Sequence, residues 1–322
     1  MTRISDDAFR QALAHPLTST DLSVLGDKYE GKVRDNYSRN GERIIVVSDR
    51  ISAFDRVLGT LPLKGQVLNW IANWWFTKTK HIADNHVIRV PDPNVMVAVE
   101  CTPLPVEMVV RAYLTGTTST SIWVHYQNGA REFCGYALPD GLARNQKLPQ
   151  LMLTPSTKAA HGDHDISASR EEILKQTGMP AADFDKAAQM AMDLFVFGQK
   201  VCADQGLILV DTKYEFGKTP DGRIVVIDEI HTPDSSRFWF ANTYEERFAK
   251  GEQPESFDKE YLRRWLKDRN FGGEGPIPTI PDEIKVEAVK RYIEAIETIS
   301  GQEFVPNLEE PQARLRRNLG VG

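Results

Sequence analysis

Residues 206–239, GLILVDTKYEFGKTPDGRIVVIDEIHTPDSSRFW, constrain the fold of this chain more than any other stretch. Residues 207–216 are rich in β-formers, Thr219-Pro220-Asp221-Gly222 has turn chemistry, and 223–230 is a second β-branched run, so the segment reads as a β-hairpin. Both strands begin as almost unbroken apolar runs, at 207–210 and 224–227, the pattern of a mostly buried sheet. Alternation along the first strand puts Asp211, Lys213 and Glu215 on one face. With Lys218 facing Arg223 across the turn, Lys213 falls opposite Asp228 and Glu215 opposite Val226. Glu215 and Asp228 are then diagonal neighbours, and Glu229 turns to the other face as a structural residue. Such a patch is either an ion pair on a solvated strand face or a ligand site. Two carboxylates beside a lysine suit Mg²⁺ bridging nucleotide phosphates, because Mg²⁺ takes only one or two protein carboxylates.

A length of 322 residues suits two lobes, and a net charge of −6 excludes the global basic field of a general nucleic-acid binder. Cys101, Cys134 and Cys202 are odd in number and lack metal-type spacing, which points to a reducing compartment and away from a disulfide framework. The N-terminus lacks the cationic and apolar regions of a secretory leader, and no apolar run is long enough to span a bilayer. The expectation is a cytoplasmic protein with no membrane, nucleic-acid or obligate protein partner.

Residues 5–14 read as a short helix capped by Ser5. Residues 25–37 and 43–48 read as two strands joined by a turn at Arg39-Asn40-Gly41. Gly26 to Lys32 spells G-x-x-x-x-G-K, but Val33 stands where a P-loop needs Ser or Thr, and a strand follows instead of a helix. The glycine beside Lys32 and Arg34 either lies over phosphates or belongs to an exposed basic edge strand. Ser48 to Asp55, SDRISAFD, is a polar run directly after an apolar strand, where ligand contacts or a tight capped turn are both natural. The tryptophans at 70, 74 and 75 follow helical spacing and belong to the core.

A turn at PDPN, a strand over 95–99 and Pro103-Leu-Pro105 mark a lobe boundary at residue 105. Arg111 then ends a buried strand before Thr115-Gly-Thr-Thr-Ser-Thr-Ser121. That is a phosphate or carboxylate clamp, or else an ion pair followed by a capped helix start. Residues 147–169 read as a long functional loop, whose His161, Asp163, His164 and Asp165 lack zinc spacing. A helix over 181–205 delivers the chain into the hairpin, and helices over 256–270 and 281–299 form an extension covering the second lobe.

Seven motifs stand in one order: YEGKVRD, SDRISAFD, LPLKGQVLN, PVEMVVRAYLTGT, LTPSTKAAHGDHD, LILVDTKYEFG and DEIHTPDSSRFW. Over about residues 25–270 the chain resembles the phosphoribosylaminoimidazole-succinocarboxamide synthase (SAICAR synthetase) family. The resemblance implies a two-lobed α+β fold related to ATP-grasp enzymes, with a C-terminal helical extension. It divides the chain into an N-terminal lobe (1–105) with a phosphate-covering hairpin, a C-terminal lobe (106–245) with the metal and substrate site, and an extension (246–322) packing on the C-terminal lobe. It implies a ligase that uses ATP and Mg²⁺ to join L-aspartate to carboxyaminoimidazole ribotide (CAIR), giving SAICAR, ADP and phosphate through an acyl phosphate.

Carried over motif by motif, Gly31, Lys32, Val33 and Arg34 hold the ATP phosphates, with Lys158 in the loop that closes over the site. Glu215 and Asp228 are the metal positions, and with Lys213 form the catalytic set. Arg111, Thr117 and Arg237 grip the ribotide phosphate, Arg237 arriving from a loop that begins at Asp234. Ser52, Asp55, His164 and Asp165 face CAIR or aspartate. Some relatives carry serine where Thr117 stands. Another ATP-dependent enzyme on the same scaffold, such as a small-metabolite kinase, and a non-catalytic nucleotide- or RNA-binding module are the competing readings.

Overall fold

The computed structural model describes residues 4–54, 56–118, 120–158, 166–257 and 260–321. The chain begins with α1 (Asp6–Ala14), whose first turn is closed by the Ser5 side chain accepting from the Ala8 amide. There follow β1 (Asp27–Glu30), β2 (Arg34–Arg39), β3 (Glu42–Val47), β4 (Arg50–Ala53), β5 (Arg56–Thr60), α2 (Lys64–Thr79), β6 (Val87–Asp92) and β7 (Val95–Val99). Strands β1, β2, β3, β7 and β6 form an antiparallel sheet in that order. The expected single strand over 25–37 is two strands, because Gly31 donates its amide to the Arg34 carbonyl and folds the chain back on itself. One face of this sheet packs Ile45, Val47, Met96 and Ala98 against Val67, Leu68, Ile71 and Trp75 of α2, so Trp75 is core as its spacing predicts.

The second sheet begins with β8 (Thr102–Tyr113) and continues after α3 (Ile122–Gln127), β9 (Glu132–Phe133) and β10 (Tyr136–Ala137) with β11 (Lys147–Leu153) and β12 (Ser156–Thr157). Helices α4 (Arg170–Thr177) and α5 (Ala181–Asp204) lead into β13 (Leu207–Lys218), β14 (Ile224–Ile227) and β15 (Ser236–Phe240). β8 is flanked on one side by β11 and β12, and β13 on the other by β14 and β15. The expected loop over 147–169 is therefore partly sheet. The expected boundary at residue 105 falls inside β8, where Pro103 and Pro105 are accommodated because β12 reaches β8 only at Val106 and Glu107.

The central hairpin forms, with a register one residue away from the expected one. Lys218 pairs with Ile224 and Glu215 with Ile227, because Thr219 closes on Arg223 through both its amide and its hydroxyl, lengthening the turn by one residue. The second strand also stops at Ile227, where Asp228 takes a left-handed φ of 67°.

The remaining helices are α6 (Ala241–Ala249), α7 (Glu260–Lys267), α8 (Asp282–Ser300) and α9 (Pro311–Leu319). The expectation that this extension packs on the C-terminal lobe is corrected for α8 and α9, which pack mainly on elements of residues 1–105. α8 lies on α2 and α9 on β6. Leu315 of α9 joins Tyr37, Ile44, Val46, Val95 and Val97 in covering the second face of the first sheet. The physical reason is Arg314, buried to 1% exposure, which donates to Asp92 and Asn94 in the β6–β7 turn.

Candidate active-site cleft

The second sheet has two unlike faces. Val106, Met108 and Val110 of β8 and Tyr214 and Phe216 of β13 are buried in the core cluster that includes Phe184, Ala187, Ala191, Leu194 and Phe195 of α5. Burial of each such side chain contributes about 2 kcal/mol. The alternate residues, Glu107, Val109 and Arg111 on β8 and Asp211, Lys213 and Glu215 on β13, lie side by side in register as Arg111↔Asp211, Val109↔Lys213 and Glu107↔Glu215. The period of two that builds the core thus also builds a charged carpet.

Its charges are closely paired. Lys213 Nζ lies 2.8 Å from Glu107 and 2.6 Å from Glu215, and Lys158 Nζ reaches the other Glu215 oxygen at 2.5 Å. Asp211 Oδ2 accepts from Arg111 at 3.3 Å and from Arg237 at 2.8 Å, while Arg111 Nε donates to the Thr154 hydroxyl at 2.9 Å. Burial opposes ionisation of Glu215, but Lys213 and Lys158 outweigh it and hold the carboxyl down at about 2. Burial likewise works against the Lys213 ammonium, yet Glu215 and Glu107 raise its pKa above the ordinary lysine value. Burial pulls the pKa of Arg111 down, Asp211 opposing.

Arg34 crosses from the first sheet to this one, binding Asp228 through one guanidinium nitrogen and Glu229 at 3.0 Å through the other. Glu229, expected on the opposite face, is thus brought to Arg34, because the left-handed turn at Asp228 breaks the alternation that would have separated them. Glu215 and Asp228 both line a cavity between the sheets of about 90 Å³, together with Asn36, Arg43, His86 and Cys101.

The turn at Gly31-Lys32-Val33 is held from its carbonyl side. Arg50 donates to the carbonyls of Gly31 and Lys32, each at 3.0 Å, and to Asp35 at 2.8 Å. Ser48 donates its amide and hydroxyl to the Val33 carbonyl. A Cβ on Gly31 would sit 3.3 Å from the Arg34 carbonyl oxygen, so the tight turn favours glycine.

Thr117 and Arg237 share the wall of a larger cavity of about 620 Å³ at the β15 end of the carpet. Gly116 in the same wall has a φ of 115°, and an added Cβ would meet Ser121 at 2.4 Å. Ser121 is the N-cap residue of α3, but its hydroxyl donates to Thr118 and makes no cap bond to the helix. Asp234 is engaged on both oxygens, by Lys64 at 2.8 Å and by the Tyr292 hydroxyl at 2.6 Å. Ser52 lies on β4, apart from the hydrogen-bonded set of the carpet among the described residues. Asp55, His164 and Asp165 lie outside the described residues.

Four participants escaped the sequence reading. Glu107 shares a strand face with Arg111 by period two, a signal present in PVEMVVRAYL. Lys64, whose side chain is fully buried, stands out in LPLKGQVLN as a charge inside an apolar run. Arg50 and Glu229 have no spacing signal, since a bulge, a left-handed residue and a distant turn create their contacts. Among the described residues no group of three or more His, Cys, Asp or Glu side chains forms a metal cluster. No helix of the described residues is long and apolar enough to cross a membrane.

The SAICAR synthetase family model matches residues 27–278. The chain belongs to the SAICAR synthetase family. It is 48% identical over 316 residues to the chloroplastic phosphoribosylaminoimidazole-succinocarboxamide synthase of Arabidopsis thaliana, covering 96% of this chain and 76% of that protein. With the synthase of Legionella pneumophila (strain Lens) the identity is 50% over 290 residues, covering 90% of this chain and 92% of the relative. The SAICAR synthase of Saccharomyces cerevisiae, solved in complex with SAICAR, superposes with a TM-score of 0.77 at 29% identity, covering 90% of this chain and all of that one. The two-lobed α+β fold expected from the motifs is the fold observed. The chain is an ATP-dependent ligase of purine biosynthesis, joining L-aspartate to the carboxylate of CAIR to give SAICAR, ADP and phosphate.

Proposed function

We propose that the reaction runs along the charged carpet, with the nucleotide phosphates at the Glu215 and Asp228 end and the ribotide phosphate at the Arg111 and Arg237 end. The observation that carries this reading is the order of charges along β13. Lys213 stands two residues from Asp211, roughly 7 Å by strand rise. A ribotide held by its phosphate at Arg111, Thr117 and Arg237 then extends its carboxylate toward Lys213.

Glu215 and Asp228 fit Mg²⁺ as two hard oxygen donors on one cavity wall, the small protein share that Mg²⁺ takes when phosphates complete its shell. When bound there, the ion screens phosphate charge. The protein's own work is electrostatic and positional. Lys213 stays an ammonium at neutral pH because Glu215 and Glu107 hold it so, which makes it a clamp for carboxylate or phosphoryl oxygens and not a proton acceptor. Lys158 and Arg34 trade their present carboxylate partners for phosphate oxygens, and Gly31, Lys32 and Val33 close over the phosphates from the turn held by Arg50. Ser52, Asp55, His164, Asp165 and Asp234 complete the substrate side, Asp234 fixed by Lys64 and Tyr292.

A carboxylate is a poor acylating agent because oxide would have to leave. Transfer of the γ-phosphoryl group to the CAIR carboxylate releases ADP and leaves an acyl phosphate. The amine of L-aspartate then forms the C–N bond as the C–O bond to phosphate breaks, and the surplus proton passes to solvent. The small-molecule substrates are ATP, CAIR and L-aspartate, and the three free cysteines suit the cytoplasm. Purified protein with Mg²⁺ and ATP should form ADP only when CAIR and L-aspartate are both present. ADP formation that ignores aspartate overturns the coupled route.

A further inference from the structure

The cavity of about 620 Å³ beside Thr117 carries far more positive charge than one ribotide phosphate requires. Its walls include Arg144, Arg237, Arg247, Arg264, Lys267 and Arg291 against the single carboxylate of Glu255, in a chain whose net charge is −6. Three of the cations are held. Arg237 pairs with Asp211, Arg247 is tied to the Gln253 carbonyl and to Glu252 and Glu255, and Arg291 pairs with Glu287 while stacking 4.6 Å over the Tyr261 ring. The other three, Arg144, Arg264 and Lys267, have no carboxylate partner among the described residues. Arg264 and Lys267 sit three residues apart on α7, so both project from one face toward the cavity. Like charges gathered without counter-ions repel one another, and an arrangement of this kind is stabilised by an incoming anion.

We propose that Arg264 and Lys267 of α7, with Arg144 across the cavity, form an outer anion site that captures the phosphate of the ribotide and passes it to Thr117 and Arg237. This rests on the reading that Thr117 and Arg237 hold that phosphate. The site is placed for capture and not for chemistry, because Lys213, Glu215 and Asp228 do not line this cavity. Charges at the rim of a site act on encounter and affinity more than on turnover. Their effect is screened by salt, since the Debye length is about 8 Å at physiological ionic strength.

The test uses the full chain with Arg264→Gln and Lys267→Gln combined, and Arg237→Gln separately. Inorganic phosphate binding, followed by calorimetry or by its protection against thermal unfolding, should weaken about tenfold in the double variant. The KM for CAIR should rise about tenfold, with kcat and the KM for ATP within about twofold of wild type, and its salt dependence should flatten. Unchanged phosphate binding, or an unchanged KM for CAIR despite weaker phosphate binding, overturns the outer site. A rise in the KM for CAIR in the double variant but not in Arg237→Gln would instead fault the reading of the inner site and leave the outer one standing. Circular dichroism and the melting temperature of each variant separate these results from misfolding.

Discussion

The two ends of the charged sheet face settle their charge in opposite ways. At the Glu215 end, each carboxylate already has a cation from another part of the chain, Lys213 and Lys158 on Glu215 and Arg34 on Asp228 and Glu229. At the far end, Arg144, Arg264 and Lys267 line a cavity with no carboxylate partner of their own among the described residues. A closely paired set in a poorly solvated place is stable only while its pairs are complete, and on the proposed reading it exchanges partners when phosphates enter. An unpaired set stays near solvent, where like charges cost little, and gains whenever an anion arrives. On the proposed reading, one end is prepared for exchange of partners during reaction and the other for attraction before it.

The comparison breaks most visibly at its balanced end. Glu215→Gln keeps the shape of the side chain but removes the charge facing Lys213 and Lys158, and turnover should fall on the order of 100- to 1000-fold. Steady-state formation of SAICAR, with circular dichroism to confirm the fold, checks this. Near wild-type turnover would remove Glu215 from the reacting centre. Asp228→Asn should behave alike, with the added sign that Arg34 keeps only its charge pair with Glu229.

Asp211 joins the two ends, and its removal reads stability more than rate. Asp211→Asn leaves the buried Arg111 beside Arg237 with no carboxylate between them, a loss of about 3 kcal/mol in unfolding free energy. Millimolar phosphate should restore the urea midpoint of this variant more than it raises that of wild type. Equal shifts in the two proteins would place the phosphate elsewhere.

A pH series sharpens the contrast, because the paired carboxylates are not what acid attacks first. Glu215 contributes stability above the ordinary glutamate value of 4.5, lost only as the pH falls toward about 2. His86 and His231 are pushed down by burial from 6.5 to about 3, so the unfolded chain takes protons first and stability is lost as the pH falls from 6.5. Each group costs about 1.4 kcal/mol per pH unit in that window. Asp49 acts in the other direction: burial raises it from 3.8 to about 6, so the folded chain takes its proton first and regains a similar slope below pH 6. The net expectation is a loss of about 1.4 kcal/mol per unit between pH 6 and 4.5, before Glu215 contributes. Urea midpoints that stay level from pH 7 to 5 would contradict it.

How much of this was legible in the residues follows from the range of the interactions. Period-two alternation alone places Asp211, Lys213 and Glu215 on one face, and their spacing survives in the structure. The opposing strand pairs one residue away from the register that the residues suggest, because nothing local announces that Thr219 closes on Arg223, and the left-handed Asp228 then brings Glu229 to the side from which alternation excludes it. The docking of α9 was also hidden. Its anchor, Arg314, finds Asp92 more than two hundred residues away, a contact with no signature in the helix itself. Motif order identified which segments meet, and backbone irregularities decided how they meet.

The smallest expected effect concerns the Gly31-Lys32-Val33 turn, proposed above to cover the phosphates, which is held by hydrogen bonds to backbone in place of the charge pairs on the carpet. Arg50 spans the Gly31 and Lys32 carbonyls and Asp35 with one planar fork. Lysine preserves the charge but has no fork, so Arg50→Lys keeps the contact with Asp35 at the expense of the two carbonyls. The turn then loses a few tenths to about 1 kcal/mol of ordering, enough to raise the KM for ATP several-fold. The KM for CAIR and kcat should stay within about twofold, since neither end of the carpet is touched. A merely structural role would lower the melting temperature and leave the KM for ATP where it was. That outcome would separate Arg50 from phosphate binding and leave the turn ordered by Ser48 and the Gly31 amide alone.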